Sequence, residues 1–159
     1  MTNITGITGK MGSGKTTLLN KLKDLDILNE FEFLNMDEFR RNIPELKNMN
    51  IYNSEYKIIL YKYLRVYLSS IYKPAIIEWA LIIEDNLLDK FNKIIIVDCE
   101  ENTLLSRFKD SDLTIDEIKK RLNSQLDTKE KIKRLNNIDY LVINNNYDIE
   151  KVMKYVKGG

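Results

Sequence analysis

Gly9-Lys10-Met11-Gly12-Ser13-Gly14-Lys15-Thr16 decides how the rest of the chain is read. The stretch satisfies the G-x-x-x-x-G-K-[ST] pattern in full. It follows an apolar run, Asn3 to Thr8, that reads as a strand. It opens a segment, Lys15 to Leu25, in which Leu18, Leu19, Leu22 and Leu25 recur at helical spacing. Gly12 and Gly14 can take backbone conformations closed to other residues and bring amide N–H groups up to phosphate oxygens with no Cβ in between. Those amides and the positive end of the following helix form a cradle for polyphosphate. In such a cradle Lys15 reaches the β- and γ-phosphates, the Thr16 hydroxyl binds Mg²⁺, and Thr17 faces the α-phosphate. The expected cofactors are therefore ATP and Mg²⁺. A chance glycine-rich turn would not be framed by a strand on one side and a helix on the other.

Outward from the loop, short β-like runs alternate with longer helical ones. Strands are expected at Phe31 to Leu34, Ala75 to Trp79, Lys93 to Asp98 and Tyr140 to Asn144. Four consecutive apolar residues, Ile94 to Val97, point to a strand buried on both faces. Weak helix is expected over 38–48, interrupted by Pro44. A long helix is expected from a Ser54 cap to about Tyr72, with Ile58, Ile59, Tyr61, Leu64 and Leu68 as its apolar stripe. Further helices are expected at Leu81 to Phe91, 101–109, from Thr114 (where Thr114 and Glu117 match a capping box), at 128–135, and from Asp148 to Val156. Strands separated by helices imply parallel crossovers and a sheet covered on both faces. The fold class is α/β, a three-layer phosphate-loop type with a five-stranded parallel sheet.

Composition narrows the function further. The chain has 159 residues, 25 Lys plus Arg against 24 Asp plus Glu, two prolines, one cysteine and no histidine. Histidine triads, histidine-bound zinc and an internal disulfide are excluded at once. A net charge of +1 gives no overall field toward nucleic acid or an anionic membrane. No apolar run approaches the ~20 residues needed to span a bilayer, and Met1-Thr2-Asn3-Ile4 does not read as a signal peptide. One cytoplasmic domain over 1–159 is expected, with a small-molecule partner, no nucleic acid and no membrane; oligomeric state is not readable. Residues of about 38–73 are expected to form a helical insert, for which the family resemblance described below implies acceptor binding, and about 107–113 a short lid.

Phosphoryl transfer also needs a carboxylate to orient or deprotonate the attacking hydroxyl. Asp37 lies just past the second strand, on the sheet edge where ligands gather in parallel α/β folds, and is the candidate base. The competing reading is a helix N-cap. Glu78 and Asp98 end two further strands on the same side, and either can hold magnesium through water. Arg40, with Arg41, can hold an anionic acceptor, and Glu78 borders the same space. Arg107 can close over phosphates or stack on a base. Asn136-Asn137-Ile138-Asp139 lacks the lysine of a guanine-reading N-K-x-D and precedes a strand instead of following it.

Taken together these residues resemble the dephospho-coenzyme A kinases. Ile7 to Thr17 matches the T-G-x-x-G-S-G-K-[ST]-T opening of that family. Asn35-Met36-Asp37 looks like its D-A-D, with Asn35 in place of the first aspartate. Ile94 to Asp98 through Arg107 is similar to its V-V-D…R segment. Leu113-Thr114 through Gln125, and then Asp139 to Asn145, resemble its R-x-x-x-Q and A-D-x-V-I-x-N patterns. The resemblance implies transfer of the ATP γ-phosphate to the ribose 3′-hydroxyl of dephospho-coenzyme A. It also implies that Gly12, Ser13, Gly14, Lys15, Thr16 and Thr17 bind ATP, that Asp37 is the base, that Arg107 contacts nucleotide, and that Asn144 or Asn145 lies near the adenine. The chain departs from the family between Asp37 and Glu78, where it is shorter and has no H-P-x-[IV] element.

Overall fold

Five apolar runs become five parallel strands in the computed structural model, which describes residues 3–50 and 53–158. They are β1 (Ile4–Thr8), β2 (Glu32–Asn35), β3 (Ala75–Glu78), β4 (Lys93–Val97) and β5 (Asp139–Ile143), in the order β2-β3-β1-β4-β5. The helices are α1 (Lys15–Leu25), α2 (Met36–Arg41), α3 (Ser54–Ser70), α4 (Glu101–Arg107), α5 (Ile115–Asn123), α6 (Thr128–Arg134) and α7 (Ile149–Lys157). Alternate residues of β4 serve opposite faces of the sheet. Ile95 and Val97 pack with Leu18, Leu22, Val152 and Val156 of α1 and α7. Ile94 and Ile96 pack with Leu64 of α3, Ile82, Ile83 and Leu135 on the other side. Each such fully buried aliphatic side chain contributes about 1.5–3 kcal/mol, and the two faces together fix β1 and β4 at the centre. The expected three-layer α/β/α class is the one observed.

Local capping sets the helix starts. Thr114 and Glu117 form the expected reciprocal capping box on α5. Helix α3 is capped one residue earlier than expected: the Asn53 side chain accepts from the Glu55 amide, and Ser54 is already helical. Its buried residues are Tyr56, Leu60 and Leu64, whereas Ile58 is 68% exposed. Ile59, Tyr61, Leu64 and Leu68 of the expected stripe pack against the core, and Tyr56 and Leu60 join them in place of Ile58, because α3 carries apolar or aromatic residues on most of its circumference.

The helix expected over Leu81 to Phe91 does not form. After one turn, in which the Asp85 amide donates to the Leu81 carbonyl at 2.9 Å, Asn86 takes φ 57° and a 3-10 turn follows at Leu88–Lys90. Ile82, Ile83, Leu87 and Phe91 are nonetheless all buried. Burial spaced this way fits a helix or an irregular wrap equally well, and the left-handed asparagine selects the wrap. Among the described residues, no helix is long and apolar enough to cross a membrane.

Candidate active site

The phosphate loop joins β1 to α1, with φ 78° at Gly12 and 103° at Gly14, the left-handed region that favours glycine. The Ser13 amide donates to the Lys10 carbonyl at 3.1 Å, closing the turn. Lys15 is 8% exposed, and its ammonium donates to the Lys10 carbonyl at 2.8 Å. Burial pushes its pKa from 10.5 down to about 8, against the opposing pull of the Glu78 carboxylate. A cavity of about 530 Å³ opens over the loop, lined by Gly12 to Thr17, Lys21, Glu78, Arg107, Asn145 and Tyr147.

Strand register brings the acidic side of the site together. Glu78 ends β3 between Asn35 of β2 and Ile7 of β1. Its carboxylate is buried, and the Thr16 hydroxyl donates to one oxygen at 2.7 Å while the Asn35 amide donates to the other at 3.0 Å. Burial raises the Glu78 pKa, with the Thr16 bond and the Lys15 charge opposing the rise. A hydroxyl that gives its proton to a carboxylate keeps its lone pairs for a cation. These hard oxygen donors, paired otherwise only to a neutral amide, fit Mg²⁺.

Asp37 is not a helix cap. Asn35 caps α2 by accepting from the Glu38 amide at 3.2 Å, which places Asp37 in the first turn. There its carboxylate meets Arg40 at 3.1 Å, with the Asp37 side chain 59% exposed. It stands close enough to Lys15 and Glu78 to act on both electrostatically. Arg40 therefore pairs with the candidate base, and neither residue lines the cavity over the loop.

On the opposite rim, Arg107 ends α4 and donates to the Gly12 carbonyl and, at 3.4 Å, to the Asn145 side chain. Asn144 does not reach the cavity: its side chain accepts from the Asn146 amide at 2.9 Å and shapes the turn after β5. Asp98 is also set apart, since its carboxylate accepts from Thr128 at 2.7 Å and ties α6 to the sheet. Two cavity residues escape the sequence reading. Lys21 lies one turn beyond Thr17 on α1, a spacing that could have disclosed it. Its ammonium sits 5.1 Å from the centre of the Tyr147 ring, and Tyr147 carries no local signal.

A parallel sheet of this order with a phosphate loop after the first strand defines the fold of the phosphate-loop kinases. Within that class the chain belongs to the AAA_18 family (AAA domain), whose model matches residues 6–141. No curated protein matches it in sequence. The fold is similar to that of TT1252 from Thermus thermophilus, with a TM-score of 0.69 at 21% identity over 99% of this chain and 97% of the other. Shikimate kinase from Bacteroides thetaiotaomicron gives 0.67 at 15% identity over 98% and 97%. A gluconokinase from Sinorhizobium meliloti 1021 gives 0.62 at 12% identity over 98% and 89%.

Proposed function

We propose that this chain is a Mg²⁺-dependent kinase that moves the γ-phosphoryl group of ATP to a hydroxyl of a small molecule, specifically the ribose 3′-hydroxyl of dephospho-coenzyme A. One observation carries the reading. The loop lysine, the Thr16–Glu78 oxygen pair and the Asp37 carboxylate converge at the ends of three adjacent strands. Kinase folds among the structural neighbours support the reaction class. The 3′-hydroxyl acceptor rests on the resemblance of residues 7–17, 35–37, 94–107 and 139–145 to the dephospho-coenzyme A kinases.

In this reading the amides of Gly12 to Thr16 hold the phosphate oxygens, and Lys15 leaves the Lys10 carbonyl for the β- and γ-phosphates. Thr16 and Glu78 would hold Mg²⁺, and the ion, when bound, would supply neutralisation of the charge developing on the transferred group. Asp37 accepts the proton of the attacking hydroxyl, and Arg40, 3.1 Å from that carboxylate, orients it. Arg107 and Asn145 border the distal part of the nucleotide, with Lys21 and Tyr147.

A second reading, a small nucleoside or nucleotide kinase, is favoured by the insert itself, whose interior is filled by its own Ile43, Leu46, Tyr56 and Leu60. ADP release with ATP, Mg²⁺ and a panel of dephospho-coenzyme A, nucleosides and nucleoside monophosphates separates the two. The first reading expects turnover with dephospho-coenzyme A. Turnover with nucleosides alone removes it, and no release with any acceptor removes both.

A further inference from the structure

We propose that Gln125 is a positioning residue for nucleotide binding, acting through the main chain of Met11, and that the segment 113–126 senses occupancy of the phosphate loop through this contact. The inference rests on the reading that residues 9–16 cradle phosphate.

The Gln125 side-chain oxygen accepts from the Met11 amide at 2.8 Å, across 114 positions of sequence. Met11 and the next loop residue, Gly12, are held in further ways. The Met11 side chain packs into the small core of α4 and α5 formed by Leu104, Ile118 and Leu122. Arg107 donates to the Gly12 carbonyl. The face of Gly12 lies against the Phe108 ring, 2.8 Å from where a Cβ would stand. The shoulder of the loop is therefore built partly by α4, α5 and the turn after them, and only partly by β1 and α1.

Gln125 is itself bolted to the body of the fold. The next amide, Leu126, donates to the Glu84 carboxylate at 3.2 Å. Glu84 is held in turn by the Lys131 ammonium at 3.2 and 3.3 Å, and Lys131 is 1% exposed. The main chain beside Gln125 is thus fixed, and from there its side chain reaches the loop. Losing the acceptor leaves the Met11 amide free to rotate out of the geometry that aims the amides after it. Coupling between two sites is reciprocal, so whatever Gln125 contributes to nucleotide affinity, bound nucleotide returns as order in 113–126.

The test uses the full chain, the non-hydrolysable ATP analogue AMP-PNP with Mg²⁺, and two variants. Gln125→Met keeps the length and removes the acceptor; Gln125→Glu keeps an acceptor oxygen. Calorimetric Kd for AMP-PNP is expected to rise about tenfold in Gln125→Met, the effect of orphaning a part-buried amide, and to return to within about threefold of wild type in Gln125→Glu. Hydrogen exchange over 113–126 is expected to slow on adding AMP-PNP in wild type and not in Gln125→Met. A wild-type Kd and wild-type exchange in Gln125→Met would overturn the inference while leaving the kinase reading intact. Equal weakening in both variants, in step with lost thermal stability, would overturn it as well by reducing Gln125 to a structural contact. A wild-type chain that binds no AMP-PNP would remove the kinase reading and this inference together.

Discussion

Replacing Lys15 with methionine should make the protein more stable at neutral pH while destroying nucleotide binding. Its ammonium is buried under the loop with a pKa near 8 in place of the ordinary 10.5. The unfolded chain holds this proton up to 10.5 and the fold releases it near 8, so between those values the unfolded state binds more protons and stability rises with pH. Below about 8 the charged form is fully present and the fold bears its full cost, on the order of 3 kcal/mol. That figure already nets the attraction of Glu78 against desolvation. Methionine leaves the Lys10 carbonyl without its donor, an offset of about 1 kcal/mol. The expected gain is therefore about 2 kcal/mol at pH 7, which for a chain of this size raises Tm by roughly 4–8 °C. Thermal melts of the two proteins at pH 7 and pH 9.5 read it directly, and the gap should nearly close at the higher pH. Equal melting at pH 7, or a gap that does not narrow, would refute the reasoning. The same shift has a binding counterpart. A triphosphate beside Lys15 draws its pKa back up, so nucleotide binding at pH 8 should take up about half a proton and at pH 6.5 almost none. Calorimetry in two buffers of different ionisation enthalpy measures that uptake.

Other expectations follow from single contacts. Lys131→Met strands the Glu84 carboxylate beneath the loop and should cost about 3–5 kcal/mol in urea unfolding, while the double variant Lys131→Met/Glu84→Met should recover most of the loss. Asn53→Ala should cost about 1 kcal/mol as a lost helix cap, whereas Ser54→Ala should stay within about 0.5 kcal/mol; the reverse order would return the cap to Ser54.

The central sheet was legible because its signals are local and redundant. Ile94 to Val97 can be satisfied only by burial on two faces, and the loop motif lies between a strand and a helix in the order its chemistry needs. The phosphate side of the site followed from residues adjacent in sequence. So did Glu78, because acids at strand ends gather on one edge of a parallel sheet. What stayed hidden depends on choices among near-equal local options. Helix α3 is apolar nearly all round, the 81–91 segment buries the same residues whether helical or not, and Asn144 and Asn145 differ only in which one the turn after β5 consumes. Gln125 was marked only by the family resemblance, and its contact, like that of Lys131, was beyond reach for another reason. Their partners, Met11 and Glu84, lie far away in sequence, and no local pattern carries that information.

The most direct measurement is made on Asp37→Asn, which keeps the shape of the side chain and removes its capacity to take a proton. ATP affinity should stay within about twofold of wild type, because Asp37 lies outside the cavity over the loop, while phosphoryl transfer to whichever hydroxyl acceptor the wild type turns over should fall by about 10²–10⁴-fold. Turnover near the wild-type rate would show that the carboxylate at position 37 does not face the acceptor hydroxyl.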